Sequence, residues 1–324
     1  MKYVHLGRTG ISVSELCFGT MSFGGDADEA TSASLYSAVR DAGINFFDTA
    51  NEYSKGRSEE ILGRLIKGHR DDLVITTKCF NPTGPDINAR GANRRHVVQA
   101  VENSLRRLQT DRIDVLFLHR FDPATPIDEM MRTLEDLVRA GKVLYPAVSN
   151  WSGWQTQRAV DIQERHNWSR LQVIQPMYSL VKRQAEVEIL PMAQANGIGV
   201  IPYSPAAAGL LSGKYFGQAS GRLKTNKMYE ARYGDEWMVD VAEAYVGFCK
   251  QSGLHPVSTA IAWVAAHPAI TAPIIGARNV EQLKDSLAAV NVDMLPALRA
   301  EIAALSRTPA PATDRSEELR VAKA

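Results

Sequence analysis

The sequence lacks any run of about 18 apolar residues, so it predicts no helix that spans a bilayer. Its first residues, Met1 to Gly7, lack the apolar core of a secretory signal. Cysteine is scarce: Cys17, Cys79 and Cys249 are scattered and form no Cys-x-x-Cys pair, which points to a reduced cytoplasm. Charge of one sign is missing as well. The formal net charge is +1 with no basic stripe, so nucleic acid and anionic membranes have no electrostatic footprint to grip. No His-rich spacing suggests a metal site. No Gly-x-Gly-x-x-Gly stands at a strand-to-helix turn, which argues against a Rossmann dinucleotide site. The stretch Gly209 to Tyr215 is only superficially like a P-loop: it is one residue short and carries Tyr215 where magnesium would need Ser or Thr.

What is present is a rhythm. Residues 1–15 alternate apolar and polar around Gly7-Arg8-Thr9-Gly10 and predict a β-hairpin. After it, short apolar strands are predicted at 16–19, 44–47, 73–78, 113–118, 143–148, 173–175, 197–201 and 271–275. Amphipathic helical patterns alternate with them at 28–42, 58–67, 94–108, 127–140, 153–165, 182–196, 236–251 and 280–290. Eight such units in 324 residues favour an α/β fold, a closed (β/α)8 TIM barrel, over two doubly wound domains. We read residues 1–324 as one barrel domain, with a hairpin at 1–15 and a surface extension at 308–324. The stretch 205–235 is too long for a plain connection.

In such a barrel the strand ends converge on one face. The second strand ends at Asp48, with Tyr53 in the following loop. The later strands end at Lys78, His119, Ser149-Asn150, Gln175, Tyr203-Ser204 and Gly276-Ala277-Arg278. A Lys78 ammonium beside Tyr53 is expected to lower the phenol's pKa, with Asp48 holding the lysine. His119 could hydrogen-bond a carbonyl oxygen. That set suits protonation of an oxygen that has just received a hydride, and the hydride must come from a cofactor. Ser204, Ser212 and Lys214 after the seventh strand, and Arg278 and Gln282 at the last helix, suit its phosphates. Arg278 in particular suits a 2′-phosphate and hence NADP(H) over NAD(H).

The chain resembles the aldo-keto reductases. The likeness is carried by Leu6-Gly7-x-Thr9-Gly10, Gly19-Thr20-Met21, Phe47-Asp48-Thr49-Ala50-x-x-Tyr53, Gly56 with Ser58-Glu59, Leu62-Gly63, Thr77-Lys78, Leu118-His119, Gly141-Lys142-Val143, Val148-Ser149-Asn150, Gln175 and Gly276-Ala277-Arg278. Asn150-Trp151-Ser152 and Ala208 to Tyr215 look like the bacterial branch that also resembles potassium-channel β subunits. The resemblance implies a catalytic tetrad of Asp48, Tyr53, Lys78 and His119, with Tyr53 as proton donor. It implies that Ser149, Asn150 and Gln175 hold the nicotinamide carboxamide and that Tyr203 lies under the ring. It places Gly19, Thr20, Met21 and Asp48 at the cofactor, Ser204, Pro205, Leu210, Ser212 and Lys214 at the pyrophosphate, and Gly276, Arg278, Gln282 and Asp285 at the adenosine end. Ser286 stands where the family often has Asn, and Ala147 where many relatives carry Gly.

The expected function is NADP(H)-dependent reduction of an aldehyde or ketone. The substrate is a small molecule that meets Tyr53 and His119, with Trp151, and more weakly Phe23, Phe121 and residues 215–235, shaping the mouth. A homo-oligomer is compatible with the sequence. A cofactor-sensing subunit with little turnover is the alternative, and a Lys78 Schiff-base lyase a distant third.

Overall fold

The computed structural model describes residues 1–216, 227–313, 315 and 317. The expected barrel is present. The hairpin pairs β1 (Tyr3–His5) with β2 (Ser12–Ser14) in antiparallel register. Eight parallel strands follow: β3 (Cys17–Gly19), β4 (Phe46–Asp48), β5 (Val74–Cys79), β6 (Ile113–Leu118), β7 (Val143–Ser149), β8 (Val173–Gln175), β9 (Gly199–Val200) and β10 (Ile274–Ile275). They pair in the order β10-β3-β4-β5-β6-β7-β8-β9. Across the remaining seam the Ile274 N–H donates to the Pro202 carbonyl at 2.8 Å, and the Thr271 N–H to Val200 at 2.9 Å. The helices between are α1 (Glu29–Asp41), α2 (Arg57–Leu65), α3 (Arg94–Leu108), α4 (Ile127–Arg139), α5 (Gly153–His166), α6 (Ile189–Asn196), α7 (Lys227–Tyr233), α8 (Glu236–Gln251), α9 (Pro256–Ala265), α10 (Val280–Leu287) and α11 (Pro296–Ala304).

Local chemistry starts several of these helices where it should. Asp28 and Asn93 cap α1 and α3 by accepting from Thr31 and His96, and Ser152 forms a capping box with Gln155 at α5. The predicted helix over 182–196 is a correction. Only Gln184–Glu186 forms a single tight turn, and α6 begins at Ile189. Pro191 explains this. Deep inside a longer helix its ring would meet the carbonyl four residues back, whereas in a first turn its missing N–H costs nothing. Helices α7, α9 and α11 were not among the expected helical patterns. Pro256 to Ala265 is apolar nearly all round and is largely buried. Part of the 205–235 stretch and part of the 308–324 extension lie outside the described residues.

Side chains in a strand alternate, and that alternation aims the site. Phe46, Val74, Val115, Phe117, Ala147, Val173, Ile201 and Ile274 fill the barrel interior. Two residues further along the same columns stand Asp48, Lys78 (after Thr76), His119, Ser149, Gln175 and Tyr203. Their neighbours point outward: Phe47 and Ile75 pack under α1 and α2, and Leu118 and Val148 pack under the helices of the opposite side. Thr77, one residue out of phase with Lys78, donates outward to Glu59 of α2, which also binds Arg107 of α3 at 2.7 Å. The other end of the barrel is stoppered by the hairpin. Leu6 and Val13 join the interior core with no exposed surface, a burial of roughly 2 kcal/mol each. Gly7 permits the close approach: its φ is 55°, and a Cβ there would lie 2.7 Å from the Gly199 nitrogen.

Candidate active site

At the C-terminal ends of the strands lies a cleft of about 600 Å³. Asp48, Tyr53 and His119 line one part of it, while Lys78 lies just beneath with no exposed surface. The Lys78 ammonium donates to Asp48 Oδ2 at 2.6 Å, to the Thr49 carbonyl at 2.7 Å and to the Tyr53 hydroxyl at 3.3 Å. Three directed donations use its whole capacity, so the lysine has one orientation. Asp48 is held equally firmly. Its Oδ1 accepts from Thr76 at 2.6 Å and from the Gln175 amide at 2.9 Å. The Tyr53 and His119 rings meet edge to face at 6.2 Å between centroids.

Electrostatics refine this picture. Burial pulls the Lys78 pKa down, but Asp48 and Tyr53 outweigh it, and the ammonium is held above its ordinary value. Tyr53 corrects one expectation. Lys78 does draw its pKa downward, yet burial is the larger effect and Asp48 adds to it, so the phenol sits above its ordinary value. The net result is a phenol that keeps its proton at neutral pH. His119 is driven down to about 2, by burial first and then by Lys78, Arg120 and Arg232. Its imidazole is therefore neutral. Its Nδ1 is buried without a hydrogen-bond partner and lies 3.4 Å from Glu52 Oε1.

A pH prediction follows from His119. The unfolded chain takes up a proton near the ordinary value of 6.5, while the folded ring refuses it down to about 2. Stability is therefore intact above pH 6.5 and is lost as pH falls below it, by about 1.4 kcal/mol per pH unit for this one group. His119→Leu removes that slope. Urea midpoints taken between about pH 6.5 and 4.5 should fall less steeply in the variant, by about 2 kcal/mol over the range. Equal slopes would mean that His119 titrates normally.

Around this centre the other expected residues fall into two groups. Gly19, Met21, Asn150, Gln175, Tyr203, Ser204, Pro205, Ser212, Lys214, Gly276, Arg278, Gln282 and Asp285 all line the cleft. Asn150, in the left-handed region at φ 57°, donates to the His119 carbonyl at 3.0 Å and accepts from the Tyr203 hydroxyl at 2.7 Å. At the far end Asn279 caps α10 by accepting from the Gln282 N–H, and the Gln282 side chain accepts from the Arg278 N–H at 3.3 Å. The second group is turned into the wall. Thr20 is fully buried against Ser58 and the Asp48 carbonyl, Ser149 donates to the Gln175 carbonyl, and Leu210 is packed in the core. Trp151 is 1% exposed beneath the Phe121 ring, and Phe23 is fully buried, so neither reaches the cleft surface.

Several lining residues escaped the sequence reading: Glu52, Arg120 and His255. Glu52 and Arg120 flank Tyr53 and His119 in the chain, which was a usable signal. Arg232 and Tyr229 lie in α7, within the 215–235 stretch that was expected, more weakly, to shape the mouth, and both line the cleft.

The residues present fit a nicotinamide dinucleotide. Side-chain amides and an aromatic ring stand beside Tyr53, and the cations Lys214 and Arg278 stand further along the same cleft. A protein-family model described as the aldo/keto reductase family matches residues 15–306. An uncharacterized oxidoreductase of Bacillus subtilis (strain 168) is 40% identical over 306 residues, covering 91% of this chain and 92% of that protein. A probable voltage-gated potassium channel subunit beta of Oryza sativa subsp. japonica is 34% identical over 320 residues, covering 93% and 94%. Versiconal hemiacetal acetate reductase of Aspergillus parasiticus is 32% identical over 328 residues, covering 91% and 94%.

Proposed function

The chain belongs to the aldo/keto reductase family, and from that membership we propose that it is an NADP(H)-dependent oxidoreductase that reduces an aldehyde or ketone to an alcohol. We read it as one barrel domain. The observation that carries the reading is the Asp48–Lys78–Tyr53 chain, with its contacts of 2.6 and 3.3 Å, ending beside a neutral His119. Asn150 and Gln175 would hold the carboxamide with Ser149 behind them, and Tyr203 would lie against the ring. Ser204, Pro205, Ser212 and Lys214 would take the pyrophosphate, with Leu210 packed behind them, and Gly276, Arg278, Gln282 and Asp285 would take the adenosine end. Gly19 and Met21 would border the nicotinamide, with Thr20 buried behind them.

Bound there, the reduced cofactor supplies a hydride to the carbonyl carbon. The side chains handle the oxygen. His119, neutral, donates a hydrogen bond to it and fixes its direction. Tyr53 gives up its proton to the oxygen as negative charge develops there. The departing proton leaves a phenolate, which the Lys78 ammonium stabilises across 3.3 Å. Asp48, tied to Thr76 and Gln175, keeps Lys78 charged and aimed.

The test is direct. Purified protein mixed with NADPH and a panel of aldehydes should consume NADPH, with kcat/KM for NADPH at least about tenfold above NADH, because Arg278 suits the additional phosphate. A stronger NADH reaction would assign Arg278 another task. A cofactor-sensing subunit with little turnover is the second reading, favoured by the likeness to the rice protein whose name describes a channel subunit. Tight NADPH binding with negligible turnover across the panel would support it. The three described cysteines are buried and unpaired, which suits a cytoplasmic location, and no described helix is long and apolar enough to cross a membrane.

A further inference from the structure

Two guanidinium groups line the cleft and have no part in the chemistry above. Arg120 follows His119 directly beyond β6 and is exposed. Arg232 is half-buried in α7, its guanidinium carbon 6.0 Å from the centre of the Tyr229 ring. No hydrogen bond or ion pair joins either to another described residue. Both depress the pKa of His119 and both draw down that of Tyr203, so both stand on the reacting side of the cleft.

The acids of the cleft are otherwise engaged. Asp48 is bound by Lys78. Glu52 accepts from Asn81 and lies 3.4 Å from His119. Asp285 stands 3.7 Å from His255 at the other end. Asp48 and Lys78 cancel, and Glu52 offsets one guanidinium, so the reacting side carries an unbalanced positive charge. Guanidinium groups in a partly water-excluded cleft favour an anion that accepts paired hydrogen bonds.

Resting on the reductase reading, we propose that the substrate is an aldehyde or ketone that carries an anionic group, a carboxylate or a phosphate. Arg120 and Arg232 hold that group while the carbonyl meets Tyr53 and His119. The site thereby selects charged substrates over neutral ones of the same shape.

Two matched pairs test this with NADPH: terephthalaldehydic acid against its methyl ester, and glycolaldehyde phosphate against glycolaldehyde. The charged member of at least one pair is expected to show kcat/KM about tenfold or more above its neutral partner. The pair with the larger ratio identifies the anion. Arg120→Gln and Arg232→Gln should each lower that ratio about tenfold. Ratios near one in both pairs overturn the proposal. So does an unchanged ratio in both variants. A second arm does not need turnover. Calorimetric titration of the NADP-saturated protein with hydroxymethylbenzoate against its methyl ester, and with 2-hydroxyethyl phosphate against ethylene glycol, should show the charged member of at least one pair binding about tenfold tighter, and equal affinities in both pairs overturn the proposal. If no aldehyde of either charge is reduced, the reductase reading fails while the titration still decides the anion site.

Discussion

Tyr53→Phe is expected to lower kcat by about 10³-fold while NADPH binding changes by less than about twofold. The two side chains differ by one hydroxyl. The ring, and with it the edge contact to His119 at 6.2 Å, is retained. What disappears is the proton that we propose goes to the carbonyl oxygen, and the partner of Lys78 at 3.3 Å. Because burial holds the phenol above its ordinary pKa, Tyr53 remains protonated through neutral pH, and the wild-type rate of reduction should show no alkaline loss from this group below about pH 10. Steady-state kinetics with an aldehyde, paired with fluorescence titration of NADPH, reads both quantities. Wild-type turnover in the variant would remove Tyr53 from the acid role.

Lys78→Met carries the largest expected cost in stability. Lys78 and Asp48 are almost wholly buried, with side-chain exposures of 0% and 4%. Removing the ammonium leaves the Asp48 carboxylate with only the Thr76 hydroxyl and the Gln175 amide as side-chain donors. An uncompensated buried charge of this kind costs about 3–5 kcal/mol. Turnover should fall by at least about 10³-fold, because the phenolate left by Tyr53 loses its cation. The double variant Asp48→Asn with Lys78→Met separates the two effects. It removes both charges, so most of the stability should return while turnover stays lost. Urea unfolding of the wild type, both single variants and the double variant closes the cycle. Additive losses in stability would mean that the pair is not coupled, and the account of Asp48 as the holder of Lys78 would fall.

Much of this molecule follows from regular, local rules. The βα rhythm, the hairpin and the strand ends could be placed from the sequence because strand alternation and helix periodicity act within a few residues. Helix α3 at Arg94–Leu108 and strand β6 at Ile113–Leu118 stand where their patterns predict them. Pro191 shows the limit of a pattern read without its steric consequence. The apolar face over 182–196 is real, but one pyrrolidine ring in it decides where the helix can begin.

The site divides in the same way. That Asp48, Lys78 and His119 share a mouth follows from their places at the ends of parallel strands, since a period of two aims them along one column each. What the tertiary structure alone decided is how they are bound and what they weigh. Gln175 donates to Asp48 from 127 residues away. Burial overrides Lys78 at Tyr53 and silences the charge of His119. Trp151, expected at the mouth, lies beneath Phe121, and Arg232 arrives from a helix with no link to a strand end. Desolvation and long-range contact depend on groups brought together by the closed barrel, so no stretch of the chain carries them. The residue types and their order came from the sequence; the proton that Tyr53 keeps, and the grouping of charged side chains around its cleft, came from the fold.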